Sequence, residues 1–516
     1  MEFWQLSSDY QFRLSAKYGR WWGAARKQQF FNCFPVIVLT GALAGYTLIS
    51  FHWALAVLIV FGPMMALVFW HRPEYGLYLF FALVIMLTDA APIGSQGIFA
   101  IRDLHPVNGL PHLLIVYLLA MSLIFFCKLY FVEQKSSIIT MRPGFVLIVI
   151  LLIATGTGLW RGWNRINIDV DLQYVLYPLL CFYLCANVLD SRRKIYAMLT
   201  VIFLVAVIDA FILDVYYLSG HGWPYTDEEA GFARIVTQDP TDHMVFVAMA
   251  VIVFTVSANR VLTGWRCAVA LVGSLPMLFA FLFSFRRGFW IGMIATLAFF
   301  YILSSRFDKR RTLVWVWVGT LTLAATLLLA LNNMVSLEVA NPFVERILSI
   351  TNPKQKSNEH HRLESEEVLK QILSSPILGL GLGSVHTPIY SIEWAPEKQP
   401  TRIVHNGYLL VWMKLGLPGF LFFLWMLVRY ASVLLKYRTR AVSPQSGPII
   451  AGLGSLLGLW LVLLLIGPVL PYWYEMFTIG LFAAMTLGLI REEQLKRSKR
   501  TATGCVTQIA SHPQVV

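Results

Sequence analysis

Long apolar runs separated by short polar intervals dominate the chain. About 20 mostly apolar helical residues cross a bilayer, and the sequence predicts about fourteen such spans (twelve to fourteen). They lie at 30–49, 54–70, 76–88, 113–131, 144–160, 174–189, 195–218, 243–258, 267–285, 289–304, 312–331, 409–428, 448–467 and 476–490. The third is short and suits either a re-entrant segment or a longer helix. The expected fold class is all-α: a polytopic integral membrane helical bundle. Around it, residues 1–29 read as a cytoplasmic amphipathic N-terminal segment, and 30–331 as spans one to eleven. Residues 332–408 read as one long external loop containing short helices, 409–490 as the last three spans, and 491–516 as a basic cytoplasmic tail. Within the loop, 358–374 predicts a helix with Leu369, Ile372 and Leu373 on one face, ended by Pro376.

Composition agrees. Hydrophobic residues make up 57% and charged residues 13% of the 516, against about 45–50% and about 25% in ordinary soluble chains. That balance excludes a soluble enzyme, a disordered chain and a nucleic-acid module on a short anchor. The net charge of +13 is read first through the positive-inside rule. Arg13, Lys17, Arg20, Arg26 and Lys27 in the lead-in, Arg192-Arg193-Lys194, Arg306 with Lys309-Arg310-Arg311, Arg429, Lys436, Arg438, Arg440 and the basic tail all map to one side. Both termini are then cytoplasmic, and the lead-in reads as an interfacial segment rather than a cleaved signal. Six cysteines (Cys33, Cys127, Cys181, Cys185, Cys267 and Cys505) fall in spans, at cytoplasmic ends or in the tail, and no CxxC pair occurs. No disulfide and no metal site are expected.

Orientation leaves a remainder. Arg102, Arg161, Arg165, Arg234, Arg286 and Arg287, with seven basic residues in 332–407, fall on the external side. An anionic external ligand accounts for them. Three constellations stand on that face. Ser284-Phe285-Arg286-Arg287-Gly288 joins two apolar runs, and paired guanidiniums there either line a polar cavity or snorkel to headgroups. His405-Asn406 precedes the twelfth span: the histidine suits a general base, and the pair also suits a capped helix start, with Asn406 capping and His405 solvated. Ser375 to Ser384 alternates glycines at Gly379, Gly381 and Gly383. Such glycines let backbone amides approach an anion, or simply make a flexible turn. His360-His361 lacks HExxH surroundings and reads as a solvated helix start. Asp209, Asp214 and Lys414 are charges inside predicted spans, suited to a proton path, a buried pair or, for Lys414, snorkelling.

Taken together, these motifs resemble the O-antigen ligase superfamily. His405-Asn406, nine residues, then Gly416-x-x-Gly419 is similar to its signature. Residues 375–383 (SPILGLGLG) resemble its glycine-rich segment, with Arg362 at an upstream arginine position. FSFRRGFWIG at 283–292 resembles its arginine hairpin, with Arg287 at the arginine position and Arg286 in place of a serine. The ordered set spans about 265–430. The resemblance implies an inner-membrane glycosyltransferase that moves a glycan from undecaprenyl diphosphate to an acceptor hydroxyl on the periplasmic face. The acceptor would be another glycan, lipid A core or protein, and the reaction would need neither metal nor other cofactor. His405 and Arg287 would be catalytic. Arg286, Arg287 and Arg362 would bind diphosphate, and Arg102, Arg161 and Arg234 would contact substrate lipid. Asn406, Gly379, Gly381, Gly383, Gly416 and Gly419 would be structural. The partners would be donor, acceptor and membrane lipids, and no nucleic acid. Two other classes also fit a many-span chain with external arginines: a transporter or flippase of lipid-linked or anionic polysaccharide, and a structural subunit of an export assembly.

Overall fold

The computed structural model describes residues 66–87, 113–132, 142–219, 223–224, 233–234, 240–304, 346, 349–350, 352, 355–386, 401–438, 445–467, 470 and 473–510. The lead-in, the first span, most of the second, and the eleventh lie outside the described residues. So does Arg102.

The described residues are almost wholly helical. In chain order they form α1 (Pro73–Leu87), α2 (Leu113–Cys127, continued by a π-turn over Lys128–Val132), α3 (Arg142–Trp160), α4 (Arg165–Val188) and α5 (Arg192–Leu218). A two-residue ribbon follows, β1 (Trp223–Pro224) antiparallel to β2 (Ala233–Arg234). Then come α6 (Pro240–Ala258), α7 (Gly264–Phe283), α8 (Arg287–Leu303), α9 (Lys356–Leu373), α10 (Gly407–Arg438), α11 (Ser446–Ile466) and α12 (Trp473–Ala510). Among the described residues, α4, α5, α7, α10 (to Tyr437) and α11 are long and apolar enough to cross a membrane. Five shorter apolar helices accompany them, within α1, α2, α3, α6 and α8. The basic tail is no separate segment at its start: α12 runs unbroken from the last apolar stretch through Arg491–Arg500.

Small residues set the closest crossings, as they do where lipid offers helices no hydrophobic drive to associate. Gly292 of α8 lies under Leu459 of α11, and Gly458 of α11 against the Ala295 carbonyl. Gly480 of α12 faces Phe182 of α4. Phe80, Phe81, Phe246, Phe300, Phe477 and Phe482 fill the interior beside these crossings. Cys181 and Cys185 are buried free thiols one turn apart on α4, and Cys127 and Cys267 are also free.

The two ends of the bundle differ. At one end Arg192 donates to Glu492 and Glu493, and Ser446 donates to Glu493, tying the starts of α5 and α11 to α12. At the other end gather the end of α3, the starts of α4, α8 and α10, and the end of α11. Gly158 meets Leu382, Gly383 meets Ile168, Gly288 meets Ile466, and Gly407 meets Leu464.

The glycine run is the clamp of this second end. Gly379, Gly381 and Gly383 all have positive φ (71°, 85° and 80°), where a Cβ is strained. A Cβ on Gly381 would stand 2.4 Å from the Gly158 nitrogen, and one on Gly379 2.6 Å from the Gly416 nitrogen. Gly416 has φ 66° and interrupts α10, and Leu417 N donates back to Ile377 O at 3.0 Å. The run is neither a flexible turn nor an anion cradle. The amides of Gly379, Leu380, Leu382 and Gly383 already donate to Ser375, Met413, Ala154 and Asp171.

A methyl group at Gly158 would stand 2.2 Å from the Leu382 carbonyl oxygen, whereas nothing lies within 4 Å of a Cβ at Gly156. Gly158→Ala should destabilise the protein by about 1–3 kcal/mol, while Gly156→Ala should be neutral or slightly stabilising. Thermal unfolding in detergent distinguishes the two.

Candidate active site

Asn406 sits immediately before α10 as its cap, and His405 precedes it. Asn406 Oδ1 accepts from Tyr408 N (3.1 Å) and Leu409 N (3.2 Å), an N-cap that satisfies two of the helix's orphan donors. His405 is not merely the solvated neighbour of that cap. Glu364 Oε2 accepts from the His405 backbone N at 3.0 Å, and both carboxylate oxygens lie 3.0–3.1 Å from His405 Nδ1. A carboxylate accepts only, so Nδ1 carries a proton, and in the neutral ring the lone pair falls on Nε2.

Glu364 reaches His405 because of how α9 lies. Glu364, Val368 and Ile372 are four apart and therefore share one face. Val368 and Ile372 are fully buried against Leu380, Val404, Leu410 and Met413. The predicted face was one position off: Ile372 is buried, but Leu369 and Leu373 are exposed. Glu364 itself is 4% exposed. Burial would raise its pKa, but the His386 and His405 imidazoles outweigh burial and hold the carboxyl well below the usual range. His386 Nε2 stands 3.5 Å from Oε1, an electrostatic contact rather than a full hydrogen bond.

The same face carries His360 and His361, which are not a solvated helix start. His361 packs on His405 with ring centroids 4.6 Å apart and His360 at 5.3 Å. Burial and the neighbouring imidazoles lower both pKa values, that of His361 to about 4.

The arginine hairpin turns at Phe285, which is buried and left-handed at φ 53°, an uncommon conformation for an aromatic residue. Its carbonyl accepts from Arg346 Nε at 2.9 Å. Arg287 Nη1 donates to Ser349 O at 2.7 Å and to Gln355 Oε1, so the hairpin holds the segment that leads into α9. The positive field of Arg287 reaches His361 and contributes to its lowered pKa.

A buried ion pair ties this assembly to the helices. Lys414 Nζ lies 2.5 Å from Asp171 Oδ2 and donates to Ser384 O at 3.0 Å. The same Asp171 oxygen accepts from Gly383 N at 2.7 Å. Lys414 therefore does not snorkel. Asp171, Lys414, Tyr174 and Arg402 line a cavity of about 950 Å3 whose other walls are mostly apolar side chains of α2, α3, α4, α10, α11 and α12.

Residues 272–424 match the family model described as O-antigen ligase. The match supports membership in the O-antigen ligase superfamily. It spans the arginine hairpin, α9, the glycine run, His405 and the Gly416–Gly419 kink. No curated protein is a significant match to the chain. The match and the apolar helices support an O-antigen ligase-like membrane glycosyltransferase in general terms.

Within the matched segment, the hairpin, α9 and His405 form one connected unit. Arg362 is not part of it. Two residues from Glu364 and so on another face, it is exposed and pairs with Glu366 at 2.6 Å. Arg161 is exposed at the end of α3, and Arg234 lies in β2 opposite Trp223. Asp209 and Asp214 are both buried on α5. Glu364, Asp171, His360, His361 and Arg402 were missed as site residues. Glu364 had a signal, because it is a carboxylate on the same helical stripe as Val368 and Ile372. Asp171 interrupts the start of an apolar helix, but nothing in the chain pairs it with Lys414.

Removing one partner of a buried ion pair leaves an uncompensated charge at a cost of about 3–5 kcal/mol. Lys414→Met should therefore destabilise strongly, and Asp171→Asn combined with Lys414→Met should recover most of that loss in thermal unfolding.

Proposed function

We propose that this chain transfers a glycan from undecaprenyl diphosphate to an acceptor hydroxyl on the periplasmic face of the inner membrane, as a ligase or a polymerase. The observation that carries the reading is the Glu364–His405 dyad. It is anchored beside the Arg286–Arg287 hairpin, inside the segment that matches the O-antigen ligases.

The chemistry is a displacement at the anomeric carbon. Glu364 orients His405 so that Nε2 faces away from the carboxylate and takes the acceptor's hydroxyl proton. The acceptor oxygen bonds to the anomeric carbon as the bond to the donor phosphate oxygen breaks, and undecaprenyl diphosphate departs with the electron pair. Arg287 and Arg286 offset the charge developing on that leaving group, since guanidinium forks fit phosphate oxygens. Arg402, at the apolar cavity, adds a cation at the boundary of a volume suited to part of a polyprenyl chain. Neither metal nor organic cofactor is assigned a part in the step. Acceptors of three chemistries fit a general base of this kind: a second lipid-linked glycan, lipid A core and a protein hydroxyl.

The experiment is reconstitution in vesicles with a lipid-linked glycan and chelator present. Wild type should form the new glycosidic bond. His405→Ala and Arg287→Ala should lose about 100-fold or more. Glu364→Gln should lower kcat with little change in KM, because it misorients the base rather than removing a substrate contact. Full transfer by both alanine variants would overturn the assignment. Movement of labelled donor across the membrane without a new bond would favour a flippase instead.

A further inference from the structure

Three imidazoles converge where the proposed reaction needs one. We propose that His360, His361 and His405 form a reversible binding site for a divalent transition cation. Glu364 acts as the outer carboxylate that orients His405, and an occupied site is inhibited. The inhibitory half rests on the glycosyltransferase reading, whereas the binding half does not.

The geometry of the rings carries the argument. Zinc–imidazole bonds are about 2.0–2.1 Å long, which puts ring centres about 5 Å apart in a tetrahedral site. The observed centroid separations are 4.6 Å (His361–His405), 5.3 Å (His360–His405) and 5.5 Å (His360–His361). The rings stand at 67°, 85° and 69° to one another, so they converge edge-on rather than stack. One donor atom from each of the three histidines and one Glu364 oxygen all lie within 4.8 Å of one another. Ligation requires these atoms to close from within 4.8 Å of one another to the spacing set by bonds of about 2.0–2.1 Å.

The chemistry of the donors fits as well. Imidazole suits zinc, copper, nickel and iron, whereas magnesium and calcium call for oxygen ligands. Glu364 is already committed to His405 Nδ1, which leaves Nε2 as the nitrogen that ring offers an ion. This is the carboxylate–histidine arrangement that supports metal-bound imidazoles elsewhere. His361 Nδ1 is buried without a hydrogen-bond partner among the described residues, a cost that either coordination or a tautomer change would relieve. Arg287 nearby opposes a cation, and the ionised Glu364 offsets it. A coordinated Nε2 has no lone pair for the acceptor proton. Binding and base catalysis therefore exclude one another at His405.

The test uses the full chain in nanodiscs, stripped with chelator and titrated with cobalt(II), whose visible ligand-field band reports nitrogen coordination. Wild type and the surface control Glu366→Gln should each bind one equivalent. His360→Ala and His361→Ala should lose the band, and Glu364→Gln should weaken binding about tenfold or more. Thermal unfolding of each variant separates lost ligation from lost fold. Absence of a one-equivalent band in wild type, or its survival in both alanine variants, would overturn the site. In the transfer assay, zinc should inhibit wild type and Glu366→Gln, and chelator should restore both. Zinc that binds without inhibiting, or that stimulates transfer, would overturn the inhibitory role. If chelated wild type makes no glycosidic bond at all, the glycosyltransferase reading and the inhibition fail together, while the cobalt titration still decides the binding site.

Discussion

Non-helical backbone buried among apolar helices must satisfy its polar groups internally, because no water is there to do so. The 375–384 segment meets that constraint by placing glycine at its closest backbone contacts, Gly379, Gly381 and Gly383. Its amides bond to carbonyls of α3 and α10 and to the Asp171 carboxylate. Those bonds require the run to lie closer to Gly158 and Gly416 than any Cβ allows. The glycines of two separate motifs are thus partners in one contact. Gly416 breaks α10 where the run crosses it, and the run turns where Gly416 admits it.

The rest of the site follows from that crossing. With the run fixed, α9 is drawn down onto the start of α10 through Val368, Ile372, Leu410 and Met413. Glu364 is thereby buried beside His405. A buried carboxylate with an imidazole partner is a fixed, oriented dipole in a low-dielectric pocket, and such preorganisation is what stabilises developing charge. The arginine hairpin secures the other side by holding the segment ahead of α9. Lys414 and Asp171 belong to the support. They hold Gly383 and Ser384 and close the charge balance where an isolated ion would be unstable.

The histidine cluster adds a tension to this arrangement. The packing that orients one imidazole as a base also brings two more within coordination range. Any nitrogen that is well placed to accept a proton is also well placed to accept a cation, since both use the same lone pair. A site of this kind is open to competition by transition metals unless its surroundings oppose it, and here the ionised Glu364 offsets the opposing charge of Arg287.

The sequence by itself determined the helical membrane class, because apolar runs of span length leave a chain no other way to satisfy its backbone in lipid. It also determined the position of α9 to within two residues and the order of the motifs in the matched segment, and it offered the Asn406 cap as one of two readings, because each depends on neighbours along the chain. What only the tertiary structure decided is which distant groups meet. The Glu364–His405 bond, the Asp171–Lys414 pair across 243 residues and the contact of Gly381 with Gly158 arise from helix crossings. Periodicity is silent about these, since it fixes which face a residue occupies but not what lies opposite. The His360-His361 pair shows the difference most plainly. Its local surroundings are polar and read as solvated, and only the packing of α9 on α10 turns it inward to His405.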